Sequence, residues 1–471
     1  MTSTTYTLHV TFLTPVFVGT GEELDPLSYV LKGHGKDSAD LHLIDLHSWV
    51  RDNSGDQDLQ KAFSQRELSS LRRFVAERIP LDKYTKDVVP VRSHSFQTLY
   101  SQVLNGKRDE HRLFLAGTHR SPANGIPFIP GSSLKGAIRT AVGNAHTAKA
   151  GKPQWNTRQR RPDYDWQDYN WRIFGRIQND IFKFLKVGDI QLGPGKTQVV
   201  EPVEVSRNPD RSKCTPKNYA EATQSVALGS KLTAAARLKL EQPPKEFQSH
   251  GQVRPFDLPQ LMSWLNQFYI EKYWQEMAKF YDKAHLSEVK EHLETVSQLV
   301  EQLSPESTHK ALIRLGHYSH IESVTYDGLR DPKTKKGYGK TRTLAESHVP
   351  FGWVLLTAEP GYVPDMNINN PASVELTAMP SEPQDSKTKP QVSEQENRQT
   401  RLDNLQKELE AIKPANRPGI IPTKAKEVLA DEDKEYVSQA ARIILDFVQG
   451  AGMKKKVKSK DWYRRLQSDE D

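Results

Sequence analysis

The sequence predicts an α+β fold, on three observations. Apolar residues alternate at Tyr6, Leu8, Val10 and Phe12, the period of a half-buried strand, while Leu134, Ile138 and Val142 recur every four residues, the period of a helix. Strand and helix patterns mix irregularly along the chain, without the regular strand–helix–strand period of a doubly wound sheet. At 471 residues the chain exceeds one ordinary core, so two or three structural units are expected.

The elements follow in order. The alternating strand runs into a glycine turn at "VGTG" (Val18 to Gly21), and "ADLHLIDL" (Ala39 to Leu46) reads as a second strand. Leu59 to Ile79 reads as helical and "KDVVPVRSHSF" (Lys86 to Phe96) as a further strand. Pro127 and Pro130 hold the backbone extended and then turn it; "GSSLKGAIRTAV" (Gly131 to Val142) then starts a helix that Ser132 or Ser133 can cap. "FLKVGDIQLG" (Phe184 to Gly193) and "TQVVEPVEVSR" (Thr197 to Arg207) read as paired strands. Phe256 to Leu303 reads as a long helical stretch whose aromatics (Tyr269, Tyr273, Trp274, Phe280, Tyr281) belong to the core. Strands return at "ALIRLG" (Ala311 to Gly316) and "GWVLLTAEP" (Gly352 to Pro360). Residues 361–400 are rich in Pro, Ser, Gln and Asn and read as a linker; protease is expected to cut there first. Residues 401–471 read as a helical appendage with a basic tail.

Lys plus Arg number 66 against 59 Asp plus Glu, a net charge of +7, which is compatible with a nucleic-acid partner. The cations cluster at Arg158 to Pro162, Arg330 to Arg342 and Lys454 to Arg465. Cys214 is the only cysteine, which excludes a disulfide framework and a thiolate metal cluster. No stretch approaches the roughly 20 apolar residues of a membrane helix, and the N-terminus lacks the pattern of a signal peptide. A soluble, cytoplasmic protein without a membrane partner is expected.

Familiar catalytic and cofactor motifs fail on their spacing. The Gly195-Lys196-Thr197 and Gly339-Lys340-Thr341 triplets lack the first glycine of a P-loop, where Ile190 and Thr334 stand. "GTGEEL" (Gly19 to Leu24) puts Leu24 where a dinucleotide fingerprint needs its third glycine. His317 and His320 lack a third ligand at metal-site spacing, Ser93-His94-Ser95 is only a sequence neighbourhood, and Asp25 sits in a turn. No enzyme and no cofactor are expected. Three glycine- or arginine-rich segments remain, each expected to present exposed cations or amides to an anion. Gly19 and Gly21 belong to the first; Gly131, Ser132, Ser133, Lys135 and Arg139 to the second; Lys336, Tyr338, Lys340 and Arg342 to the third. Glycines admit a phosphate close to the backbone, a helix N-terminus favours negative charge, and a tyrosine can stack on a base.

"IPGSSLKGAIRTAV" resembles the helix-start motif of the RAMP superfamily of CRISPR-associated RNA-binding proteins. "LTPVFVGTGEELDPLSYV" (Leu13 to Val30) and "GKTRTLAESHVPFGWVLL" (Gly339 to Leu356) resemble the N- and C-terminal signatures of one branch, the fifth Csm subunits of type III-A CRISPR effector complexes. "IFGRI" followed by "VGDIQL" is similar to the superfamily's Phe-Gly step before a strand. The resemblance stops at Leu356, and the last hundred residues look like an addition, which leaves a related type III variant open. It implies RRM-like (ferredoxin-like) sheets with inserted helices. The domain expectation is then an RRM-like domain at 1–250, a helical insertion at 251–310, closing strands with the glycine-rich loop at 311–360, the linker and the tail. It further implies a non-catalytic subunit that binds the crRNA backbone toward its 3′ end, caps the filament and supports crRNA maturation and antiviral defence. The implied partners are crRNA, target RNA, the neighbouring RAMP backbone subunit and, as a further candidate, the small helical subunit. Two alternatives stand beside it: a repeat-RNA endoribonuclease using His94, His317 or His320, and a backbone subunit cutting target RNA through a carboxylate such as Asp25.

Overall fold

The computed structural model describes residues 3–361 with seven breaks, at 34–37, 65–67, 107–109, 155–164, 208–213, 284–285 and 330–338. Beyond them it describes 433–450, 461–468 and single positions between 402 and 429. Lys336, Tyr338, the Arg158 cluster, the 362–400 segment and Lys454 to Lys460 lie outside the described residues.

The alternation at the N-terminus builds the central strand of the molecule. In β1 (Ser3–Phe12), Leu8, Val10 and Phe12 are buried while His9 and Thr11 face the other way. It pairs antiparallel with both Thr233–Glu241 and Trp353–Pro360, so a strand near the chain's start is sealed on each side by later ones. Residues 1–250 and 311–360 thus share one sheet.

Chain order then gives β2 (Gly19–Leu24), β3 (Tyr29–Gly33), β4 (Ala39–Ile44), α1 (Leu46–Asp52), α2 (Gln57–Ser64), α3 (Leu68–Arg78), α4 (Leu81–Tyr84), β5 (Thr85–Val91) and α5 (His94–Leu104). β6 (Leu115–Thr118), β7 (Phe128–Ile129), α6 (Gly131–Ala150) and α7 (Trp166–Phe174) follow. Next come β8 (Leu185–Val187), β9 (Ile190–Gln191), β10 (Thr197–Val200), β11 (Pro202–Ser206), β12 (Thr215–Pro216), β13 (Ala220–Thr223) and β14 (Thr233–Glu241). The body closes with α8 (Leu258–Glu276), α9 (Ser287–His292), α10 (Glu294–Glu301), β15 (Lys310–Arg314), α11 (His320–Val324), β16 (Thr341–Ala345), β17 (Val349–Pro350) and β18 (Trp353–Pro360).

The first sheet has the order β15-β18-β1-β14-β9-β7, with β8 also on β14. β1, α6, β8/β9, β14, α8 and β18 therefore make a ferredoxin-like βαββαβ unit with β1 inside. Both helices supply its core: Leu134, Ile138 and Val142 from α6 and Leu261, Leu265 and Tyr269 from α8 join Leu8, Val10 and Leu356. α8 is thus the second helix of this unit. The second sheet, β2-β6-β13-β10-β5-β4-β3, carries α5 through Phe96, Tyr100 and Val103, while α1–α4 build a core with Val30 and Ile44. A four-stranded sheet, β12-β11-β16-β17, completes the body.

Several readings are corrected. The glycine turn read at "VGTG" is instead the start of an irregular strand over "GTGEEL", because β6 supplies it with backbone partners. "FLKVGDIQLG" and "TQVVEPVEVSR" do not pair with each other: β8 and β9 join the first sheet, β10 the second and β11 the third. The stretch after β5 is a helix, since Ser93 caps α5 by accepting from the Phe96 N–H at 3.3 Å. The helical stretch from Phe256 breaks after Glu276 into a π-helical turn, Met277–Tyr281.

The described residues between 402 and 468 belong to a second compact unit. Its own core includes Leu409, Ala440, Ile444, Val448 and Leu466, with helices at Lys434–Gly450 and Asp461–Ser468.

Candidate nucleic-acid interface

Helix α6 starts directly at Gly131, and neither serine caps it: Ser132 and Ser133 lie within the first turn. The capping expectation fails because a carboxylate from elsewhere takes the job. The Gly131 N–H donates to Asp189 Oδ1 at 2.7 Å. Gly131 has to be glycine because a Cβ there would run into the carbonyl oxygens of Val187 and Gly188. The helix start is therefore packed tightly on the β8–β9 turn.

Neither Lys135 nor Arg139 of α6 stands free in solvent. Lys135 is half-buried and its Nζ donates to the Leu185 carbonyl at 2.7 Å; burial, then the charge of Lys186, lowers its pKa. Arg139 pairs with Asp180 at 2.8 Å and lies 3.7 Å from the centre of the Phe174 ring. Arg342, expected as an exposed cation, is 3 % exposed. Its guanidinium reaches Glu276 and Glu322 and covers the Phe280 ring at 3.6 Å. Arg342 is thus part of the interior. Lys340 is exposed, beside the partly exposed Gly339 whose N–H donates to Glu322 Oε1 at 2.9 Å.

The face of α6 that remains open is made of small residues, and it borders a groove of about 330 Å3. Ser133, Gly136 and Thr140 form one wall, Val18 and Gly19 a second, and Gly316, His317 and Ser323 a third. The two strand exits are tied together: the His317 N–H donates to the Phe17 carbonyl at 2.8 Å. Gly316 is in the left-handed region (φ 98°), where a Cβ would strike the Phe17 carbonyl. Gly21, also left-handed at φ 85°, is exposed with open space around it.

Arg314 and Ser323, missed in the sequence, line the groove, and among the described residues neither Arg314 Nη2 nor Ser323 Oγ has a hydrogen-bond partner. An arginine inside the apolar run "ALIRLG" was the available signal. The groove has small walls that admit a polar chain close to the backbone, and Arg314 beneath it is paired with Glu276.

The candidate acid–base groups are dispersed. His94 is exposed on α5, and Asp25 Oδ1 accepts from the Leu27 N–H at 2.7 Å in a turn. His317 is exposed at the groove, whereas His320 turns inward so that its Nε2 accepts from the Thr343 N–H at 3.2 Å. Burial and then the charges of Arg314 and Arg342 push the His320 pKa down to about 3, so it is neutral near pH 7. Among the described residues no group of three or more His, Cys, Asp or Glu could hold a metal, and no helix is long and apolar enough to cross a membrane.

The body is an α+β protein whose ferredoxin-like sheet carries a glycine-started helix beside an open groove. The chain belongs to the RAMP superfamily, whose family model matches residues 9–317. It is 27% identical over 139 residues to the CRISPR system protein Csm5 of Methanocaldococcus jannaschii; the match spans 27% of this chain and 28% of that relative's length. A chain in the cryo-EM structure of a Csm–crRNA–target RNA ternary complex of a type III-A CRISPR-Cas system shares its fold. That similarity has a TM-score of 0.51 and 19% identity, covering 74% of this chain and 100% of the other. A crystal structure of T. onnurineus Csm5 aligns with a TM-score of 0.45, 19% identity and coverage of 74% and 99%.

Proposed function

We propose that this chain is a non-catalytic RNA-binding subunit of a type III CRISPR effector complex, seating the crRNA backbone toward its 3′ end and capping the filament beside a RAMP backbone subunit. One observation carries the reading: in a RAMP chain, the N-terminal glycine segment, the open face of α6 and the β15–α11 turn converge on one groove. Contacts through amides, hydroxyls and cations read phosphate and shape, leaving sequence to guide pairing. The Csm5 name of the curated relative and the crRNA-containing complex of the structural neighbour point the same way. The endoribonuclease alternative draws no support from His320, which is inward-facing and neutral.

Filling the groove tests the reading. A Cβ at Gly136 meets nothing within 4 Å, so Gly136→Gln places a side chain in the groove without disturbing the packing. It should weaken binding of the full chain to every RNA sequence alike while leaving Tm unchanged or higher. Unaltered RNA affinity in that variant would contradict the proposal.

A further inference from the structure

The face of the first sheet turned away from α6 and α8 carries an arrangement that folding alone does not favour. Along β14, Ala234, Ala236 and Leu238 are buried, which sends Arg237, Lys239 and Glu241 to the opposite face. The register of β8 on β14 sets Lys186 directly across from Lys239. Like charges directly opposite on neighbouring strands destabilise a sheet. Glu241 offsets one of them, accepting from Lys239 Nζ at 2.8 Å, and its carboxyl is held below the usual range by that bond. Lys186, Arg237, Lys239 and Glu241 surround a cavity of about 290 Å3 with Gly188 at its edge. Among the described residues that line the cavity, Lys186, Arg237 and Lys239 stand against the one carboxylate of Glu241. The excess continues around the sheet edge, because Lys186 also depresses the pKa of Lys135 on α6, after burial, and Lys135 Nζ is bonded to the carbonyl of Leu185, next to Lys186.

We infer that this cavity is a second anion-binding cradle, which takes a phosphate of a single-stranded RNA backbone continuing past Lys135. The inference rests on the RNA-binding reading above and adds to it a surface on the other face of the sheet. The lining decides for a polyanion over a protein partner: among the described residues Val187 is its only apolar side chain, whereas protein interfaces centre on aromatic and apolar side chains. The repulsion between Lys186 and Lys239 is then relieved when the phosphate is bound.

The experiment measures binding of the full chain to a labelled 20-nucleotide oligouridylate across a salt series. Lys186→Ala with Arg237→Ala and Lys239→Ala should flatten the slope of log affinity against log salt by about 0.7, the share of the one phosphate no longer neutralised. Lys186→Glu should separate stability from function, raising Tm by facing Lys239 with a carboxylate while RNA affinity falls. Glu241→Gln should bind more tightly than wild type. A wild-type slope in the triple variant overturns the cradle, and so does a Lys186→Glu variant that gains Tm with unchanged RNA affinity. If the triple variant binds RNA normally but fails to join the effector subunits, the face is an acidic-protein contact and the inference is wrong. Loss of binding in Gly136→Gln alone would sink the cradle and keep the RNA-binding reading; absence of salt-dependent binding by wild type would sink both.

Discussion

Glu276 Oε1, in the last turn of α8, accepts from Arg342 Nε at 2.6 Å, across 66 residues of sequence. Its other oxygen takes Arg314 Nη1 at 2.5 Å, and the three side chains are each no more than 3 % exposed. One carboxylate thus fixes both the strand that ends at the groove and the strand that leaves the glycine-rich segment. Burial alone would raise the Glu276 pKa, but the two guanidiniums outweigh it and hold the group at about 2. Removing one partner of such a buried set leaves the others uncompensated, so Glu276→Gln should cost about 3–5 kcal/mol. Because the folded value lies below the unfolded one, this stabilisation is present above about pH 5 and lost as the pH falls toward 2. Unfolding curves at pH 7 and pH 3 should show the variant missing that part of the acid sensitivity.

Glu346 behaves in the opposite sense. It sits in left-handed backbone (φ 51°) after β16, and its Oε1 accepts from the Glu201 N–H at 2.6 Å. Burial pushes its carboxyl up to about 7; the backbone bond lowers it and the neighbouring Glu201 charge raises it again. A folded value above the unfolded one gives stability that is present at about pH 4 and lost as the pH rises through 7. Glu346→Gln should therefore raise stability at pH 8, by on the order of 1–3 kcal/mol, and change it little at pH 4.5. An equal shift at both pH values would contradict this.

Two glycines of α6 should respond in opposite directions to the same change. A Cβ at Gly136 meets open space, so Gly136→Ala should stabilise by up to about 1 kcal/mol. At buried Gly143 a Cβ would lie 2.5 Å from the Tyr326 hydroxyl, so Gly143→Ala should lower Tm. Thermal unfolding of the two variants side by side checks the pair.

Lys135 and Arg139 should also separate. Arg139 is held by Asp180 and by the Phe174 ring, and Arg139→Ala should cost about 1–2 kcal/mol by removing the stacking and the pairing. Lys135→Ala gives up one carbonyl bond and should leave Tm nearly unchanged, while flattening the RNA salt slope by about 0.7. The double variant therefore mixes a stability effect with a binding effect, and single variants are needed to read them.

What the sequence made legible follows the range of the interactions. β1 and the buried stripe of α6 were readable because alternation and fourfold spacing are local. Arg342 was not readable: it stands in a basic, glycine-rich run, and Glu276, delivered by α8, together with Glu322 turns it into an interior group. The cap of α6 went to Asp189, 58 residues on, rather than to the adjacent serines. The Lys186–Lys239 opposition depends on strand register, which spacing within either strand does not reveal. The start of "GTGEEL" looked like a turn because glycines are poor strand formers, yet pairing with β6 overrode that preference.

The most direct measurement is photo-crosslinking of a 4-thiouridine-substituted guide RNA in the complete complex, co-expressed with its partner subunits, followed by mass spectrometry of the crosslinked peptides. The groove reading predicts crosslinks in the 131–149 and 316–329 peptides, reduced in Gly136→Gln at equal complex yield. A complex in which those peptides carry no RNA, with crosslinks confined to the 433–468 helices or to other subunits, would contradict it.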